Sequence, residues 1–80
     1  MMMEKSCQEF ATLLAAKESV PGGGGAAAYV GALGAALCSM VGNFTTGKKA
    51  YAEVEDDIQS MLQRAGTIRE RLIGLVDEDA

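Results

Sequence analysis

From Gly25 to Asn43 the chain carries no charged residue, and within that run Ala28, Gly31, Ala32, Ala35 and Ala36 recur at helical spacing. A helix of this kind lets its neighbours approach closely, and its uncharged circumference must be surrounded by other helices or by lipid. Its length alone admits a transmembrane span. However, its large apolar side chains are few (Val30, Leu33, Leu37, Met40, Val41 and Phe44), and no second such run follows. The stretch therefore reads as a helix enclosed in a bundle, with no membrane partner expected.

Amphipathic patterns lie on both sides of it. Between Glu4 and Lys17 the residues Cys7, Phe10, Ala11, Leu13 and Leu14 follow the three-and-four spacing of one helix face, with Glu4, Lys5, Gln8, Glu9 and Lys17 on the wet side. Ser19-Val20-Pro21 ends that helix, because the residue before a proline is driven out of the α region. Between Tyr51 and Val76 the stripe Tyr51, Val54, Ile58, Met61, Ala65, Ile68, Leu72 and Leu75 predicts a long third helix. Glu53, Glu55, Asp56 and Asp57 crowd its start and Arg64, Arg69 and Arg71 follow, an order that complements the helix dipole; the acidic run reads as a solvated face. Gly66 and Gly74 are candidate close contacts on this helix. No strand pattern occurs. The expected fold is all-α, a single unit over residues 1–80 with helices at about 4–18, 24–44 and 50–77, forming part of a multihelical bundle.

A domain of 80 residues buries only about 60% of the surface its unfolded chain exposes. With 49% hydrophobic residues against 22% charged, there is more apolar material than so thin a core can hide. Self-association into a homodimer or larger homo-oligomer, or a missing remainder of the domain, is the expected remedy. A net charge of -4 with only Lys48 and Lys49 adjacent argues against a nucleic-acid partner. Cys7 and Cys38 sit inside apolar patterns with no histidine to complete a metal site, and are expected to be buried, reduced thiols. Met1-Met-Met-Glu4 lacks the basic and apolar regions of an export signal, so a cytoplasmic location is expected.

Three junctions carry the chemistry. Pro21-Gly22-Gly23-Gly24-Gly25 abuts a tightly patterned helix, unlike a linker between polar stretches, so the glycines read as bare backbone at a helix start. Such a start offers unpaired N–H groups and the positive end of the dipole to an anionic or carbonyl oxygen, or else admits a closely packed neighbour. The spacing matches neither nucleotide-binding glycine motif. Lys48 and Lys49 follow a helix C-terminus, where cations are favoured, and can also receive a carboxylate-rich ligand. Asp77-Glu78-Asp79 closes the third helix, where carboxylates oppose the dipole unless a cation or donor meets them, or form a solvated tail. Without histidine, catalysis would rest on Lys, Asp, Glu and backbone dipoles.

In this order, Pro21-Gly22-Gly23-Gly24 opening an Ala/Gly-rich helix, Gly47-Lys48-Lys49-Ala50-Tyr51 and Asp77-Glu78-Asp79-Ala80 resemble the cyclodeaminase/cyclohydrolase family of folate enzymes, from Phe10 onward. The resemblance implies an oligomeric all-α protein of folate one-carbon metabolism. Its substrate would be a tetrahydrofolate derivative, deaminated with ring closure or hydrolysed at a methenyl group, without a metal or redox cofactor. It also implies roles by position. Pro21, Gly22, Gly23 and Gly24 would present backbone to the folate, with Lys48 as the cationic group and Lys49 its substitute; Asp77 and Asp79 would hold pterin nitrogens or relay protons. Gly25 departs from a serine common in the family. Family domains are more than twice as long, so the chain resembles the N-terminal part of one, and other copies of the chain would have to supply the surfaces of the remaining helices. A non-catalytic helical oligomerisation module is the alternative reading.

Overall fold

The computed structural model describes residues 1–16 and 21–78. A 3₁₀ turn at Met2–Glu4 leads into α1 (Cys7–Ala15), followed by α2 (Gly23–Thr45), a 3₁₀ segment at Lys49–Val54 and α3 (Glu55–Glu78). Every described element is helical, as the spacing predicts.

The start of α1 is set by Ser6. Its hydroxyl accepts from the Glu9 amide at 3.0 Å while the Glu9 carboxylate accepts from the Ser6 amide at 2.9 Å, a reciprocal capping box. Hydrogen bonding from the Ser6 amide, and after it from the Ser6 side chain, holds the Glu9 carboxyl below its ordinary pKa. The helix therefore begins at Cys7 rather than near Glu4, and its described turns end at Ala15; the expected extension to residue 18 falls largely outside the described residues.

α2 and α3 form an antiparallel hairpin whose closeness depends on glycine. A Cβ built on Gly25 lies 3.2 Å from the Val76 carbonyl oxygen, one on Gly31 lies 3.0 Å from Leu72 Cδ1, and one on Gly42 lies 2.7 Å from Leu62 Cδ2. Small residues thus line the face of α2 that meets α3, with Ala32 2% exposed. Gly66 and Gly74 mark no such approach, since a Cβ on either meets nothing within 4 Å.

The α3 stripe is displaced from its expected line. Ile58, Ala65 and Val76 are buried, but Tyr51, Val54, Ile68 and Leu75 are exposed, because α3 has a single described long neighbour and turns only one narrow strip toward it. The core is correspondingly small. Met2, Phe10 and the fully buried Val76 form one cluster, flanked by Met3, Leu13, Ala28 and Tyr29. Phe10 and Tyr29 tilt together with ring centroids 5.3 Å apart, which fastens α1 to the N-terminal half of α2. Cys7 and Cys38 are exposed free thiols, contrary to the expectation of burial, because among the described residues their helices have no neighbour on those sides.

The other face of α2 carries its bulk. Val30, Leu33, Leu37, Met40, Val41 and Phe44 are all exposed, the last 70%. By length and composition α2 is apolar enough to cross a membrane, with a mean hydropathy of 1.5 over its most apolar stretch. A single helix of this kind is also what a bundle core looks like before its neighbours are in place.

Candidate functional site

Gly22 is the N-cap of α2, in extended backbone, and no described side chain caps the helix. Its carbonyl accepts from the Ala26 amide at 3.0 Å, which begins the helical ladder and leaves the preceding glycine amides pointing out of the helix end. Gly23 and Gly24 are exposed, while Pro21 and Gly25 are buried. The run is therefore a helix start, as the sequence implies. Gly25 faces the packed neighbour, whereas Gly23 and Gly24 face outward.

The antiparallel hairpin sets the end of α3 against this helix start. Gly25 approaches Val76, and the adjacent Asp77 accepts a hydrogen bond through Oδ1 from the Met2 amide at 2.7 Å. Asp77 thus meets the donor that a carboxylate at a helix C-terminus needs. The sequence offers no hint that Met2 supplies it. Asp79 lies outside the described residues.

Lys48 and Lys49 stand at the opposite end of the hairpin. Both are exposed, Lys48 as the cap of the 3₁₀ segment and Lys49 as its first residue. The 23 residues of α2 span about 34 Å, so one chain does not bring the lysines to the glycines or to Asp77. Among the described residues neither lysine pairs with a carboxylate, and the ion pair present, Arg69 to Glu70 at 3.4 Å, is solvent-exposed and contributes little.

The loop that carries the lysines is organised by Glu55, a residue the sequence places in the solvated acidic run. Glu55 accepts from the Gly47 amide at 2.9 Å, from Gln59 Nε2 at 2.9 Å and from the Thr46 hydroxyl. Gln59 also donates to Thr46 Oγ1 at 2.8 Å. Gly47 adopts φ 80°, a left-handed conformation that favours glycine and aims its amide at this carboxylate. The third helix therefore starts as α-helix at Glu55 rather than at residue 50. Residues 49–54 tighten into 3₁₀ geometry around a kink at Tyr51, φ -117° and ψ 18°. The legible trace of this arrangement is Thr46-Gly47 followed by Glu55 and Gln59 one helical turn apart.

Hydrogen bonds from Gln59, Thr46 and Gly47 hold the Glu55 carboxyl at about 2, against 4.5 for its ordinary value. A depressed folded-state value favours the fold above pH 4.5, and that contribution fades as pH falls toward 2. Glu55→Gln removes this component. Comparing urea midpoints at pH 6 and pH 3 should show a smaller acid-induced loss in the variant than in the parent.

An open groove of about 560 Å³ runs midway along the hairpin, lined by residues including Gly31, Cys38, Asp57, Arg64 and Ile68. It contains none of the candidate ligand-binding residues at the three junctions. A side groove between paired helices is also where another helix packs, so its volume alone assigns it no ligand.

The family model described as formiminotransferase-cyclodeaminase matches residues 6–80, taking in all three helices and each junction. The chain belongs to that family. A methenyltetrahydrofolate cyclohydrolase from Methylorubrum extorquens is 47% identical over 75 residues, covering 94% of this chain and 36% of the relative. Formimidoyltransferase-cyclodeaminases from Rattus norvegicus and Mus musculus are each 35% identical over 79 residues, covering 99% of this chain and 15% of the relative. The chain thus spans about a third of the cyclohydrolase and a smaller share of the others. No solved structure gives a significant match. At Gly25, where the resemblance leads one to expect serine, the 3.2 Å approach to Val76 gives a local reason for glycine: any Cβ forces α2 and α3 apart by a few tenths of an ångström.

Proposed function

We propose that this chain binds a reduced folate and serves one-carbon chemistry of the formiminotetrahydrofolate cyclodeaminase or methenyltetrahydrofolate cyclohydrolase type. The 47% identity to a methenyltetrahydrofolate cyclohydrolase over nearly the whole chain is the observation that carries this reading. The glycine amides at the start of α2 suit an oxygen of the ligand, and Asp77 beside them suits a pterin nitrogen or a proton relay. Lys48 is the cation for a carboxylate of the ligand, with Lys49 next to it as a substitute. In the hydrolytic reaction water adds to the methenyl carbon and one carbon–nitrogen bond breaks, leaving a formyl group. Backbone N–H donors and a carboxylate supply the charge stabilisation and proton transfer that this needs, without a resident metal or redox cofactor. A cytoplasmic homo-oligomer is part of the same proposal.

Calorimetric titration with 5-formyltetrahydrofolate tests it. The parent should bind with Kd on the order of micromolar, and Lys48→Ala should weaken binding by about tenfold while keeping its helicity. A folded parent that does not bind contradicts the proposal. One observation favours a second reading, a non-catalytic oligomerisation module: the lysines and the glycines lie at opposite ends of a single chain.

A further inference from the structure

Asp77 stands where a carboxylate is hard to hold. It is the penultimate residue of α3, at the negative end of the helix dipole, and a side chain there turns into solvent unless a donor fixes it. The Met2 amide is that donor. Asp77 is half-buried and accepts from Met2 through Oδ1 at 2.7 Å, a length typical of a charge-assisted bond. Among the described residues no donor meets Oδ2.

Met2 is itself held in place. Its buried side chain lies in one cluster with Phe10 and with Val76, the residue just before Asp77, so side chain and amide grip neighbouring positions of α3. The Met2 carbonyl accepts from the Lys5 amide at 3.2 Å, which closes the 3₁₀ turn. Ser6 then caps α1, and α1 returns Phe10 to the same cluster. On its other side the Val76 carbonyl abuts Gly25, the last glycine of the run that opens α2. The N-terminal turn, the Asp77 carboxylate and the start of α2 therefore meet at one corner of the molecule. An uncharged backbone donor also fixes a carboxylate without neutralising it, as a lysine or arginine partner would, and it occupies one oxygen of the two.

We propose that the Met2 amide is a positioning group for the folate site: it fixes Asp77 Oδ1 and so presents Oδ2 to an N–H group of a reduced folate at the start of α2. This role rests on the proposed folate reading; the grip of Met2 on Asp77 does not. Coupling between two contacts is reciprocal, so a ligand that uses Oδ2 tightens the Met2 bond and does not displace it.

Proline tests the amide alone. Met2→Pro removes the N–H at the first position of the 3₁₀ turn, where a proline ring is tolerated, whereas Met2→Ala shortens the side chain and keeps the N–H. Among variants with the parent's helicity, Met2→Pro should bind 5-formyltetrahydrofolate about tenfold more weakly than Met2→Ala. In an Asp77→Ala background the two should bind alike, because the amide then has nothing to orient; a merely structural role for Met2 would leave the gap in place. In the parent the ligand should slow exchange of the Met2 amide, a readout that needs no variant to fold. Equal binding by the two Met2 variants with Asp77 present, a gap that persists without Asp77, or faster exchange at Met2 on adding ligand each overturns the positioning role and leaves the folate reading standing. A folded parent that does not bind overturns the folate reading and the role built on it.

Discussion

Gly42→Val should cost about 3 kcal/mol of stability, enough to remove much of the roughly 4–12 kcal/mol expected of a chain this size. A Cβ at Gly42 lies 2.7 Å from Leu62 Cδ2, 2.8 Å from Met61 Cε and 2.9 Å from Leu62 Cγ. Met61 can swing its terminal methyl aside, but Leu62 is engaged through its branch point, so α2 and α3 must separate. Valine adds two more methyls to the same space. The gain in helix propensity over glycine offsets only a fraction of a kilocalorie. Urea denaturation followed by helical circular dichroism measures the loss. Gly74→Ala is the control. A Cβ there meets nothing within 4 Å, so the variant should gain up to about 1 kcal/mol. Equal effects at the two positions would show that the hairpin is not held at Gly42.

Phe10→Ala should cost about 3 kcal/mol, and its effect should extend to the end of α3. Phe10 is 9% exposed and packs with Met2 and Val76 and against Tyr29, so truncation leaves a cavity at the junction of three segments. Met2 owes its position to that cluster, and the Met2 amide is the donor that Asp77 accepts. Limited proteolysis should cut the N-terminal segment much faster in the variant than in the parent. A variant with parental resistance would show that α1 is held by contacts other than Phe10.

What the sequence made legible follows from which residues act locally. The three-and-four stripes and the glycine run before an uncharged helix depend on neighbours in the chain, and three helices appear near where those patterns place them, α1 starting later, at its Ser6–Glu9 capping box. The break at Glu55 was not legible, because its cause is a carboxylate reaching back to Thr46 and Gly47 across the kink at Tyr51. The burial of Cys7, Cys38, Ile68 and Leu75 was misread for another reason. Apolar periodicity marks a face that seeks cover, and among the described residues those faces have no neighbour. In the candidate site, the helix start at Gly22–Gly24 was foreseeable. Its proximity to Asp77, and its distance from Lys48, follow from the antiparallel pairing of α2 with α3.

Amide hydrogen exchange with and without 5-formyltetrahydrofolate tests the central claim most directly, because amides at a helix start have no backbone acceptor and exchange quickly until a ligand oxygen takes them up. The ligand should slow exchange at Gly22–Gly25 and Val76–Glu78, with Thr46–Lys49 also slowed if Lys48 holds the ligand's carboxylate. Slowed exchange confined to the mid-hairpin groove around Gly31, Cys38 and Arg64 would contradict it, as would no change in a folded chain.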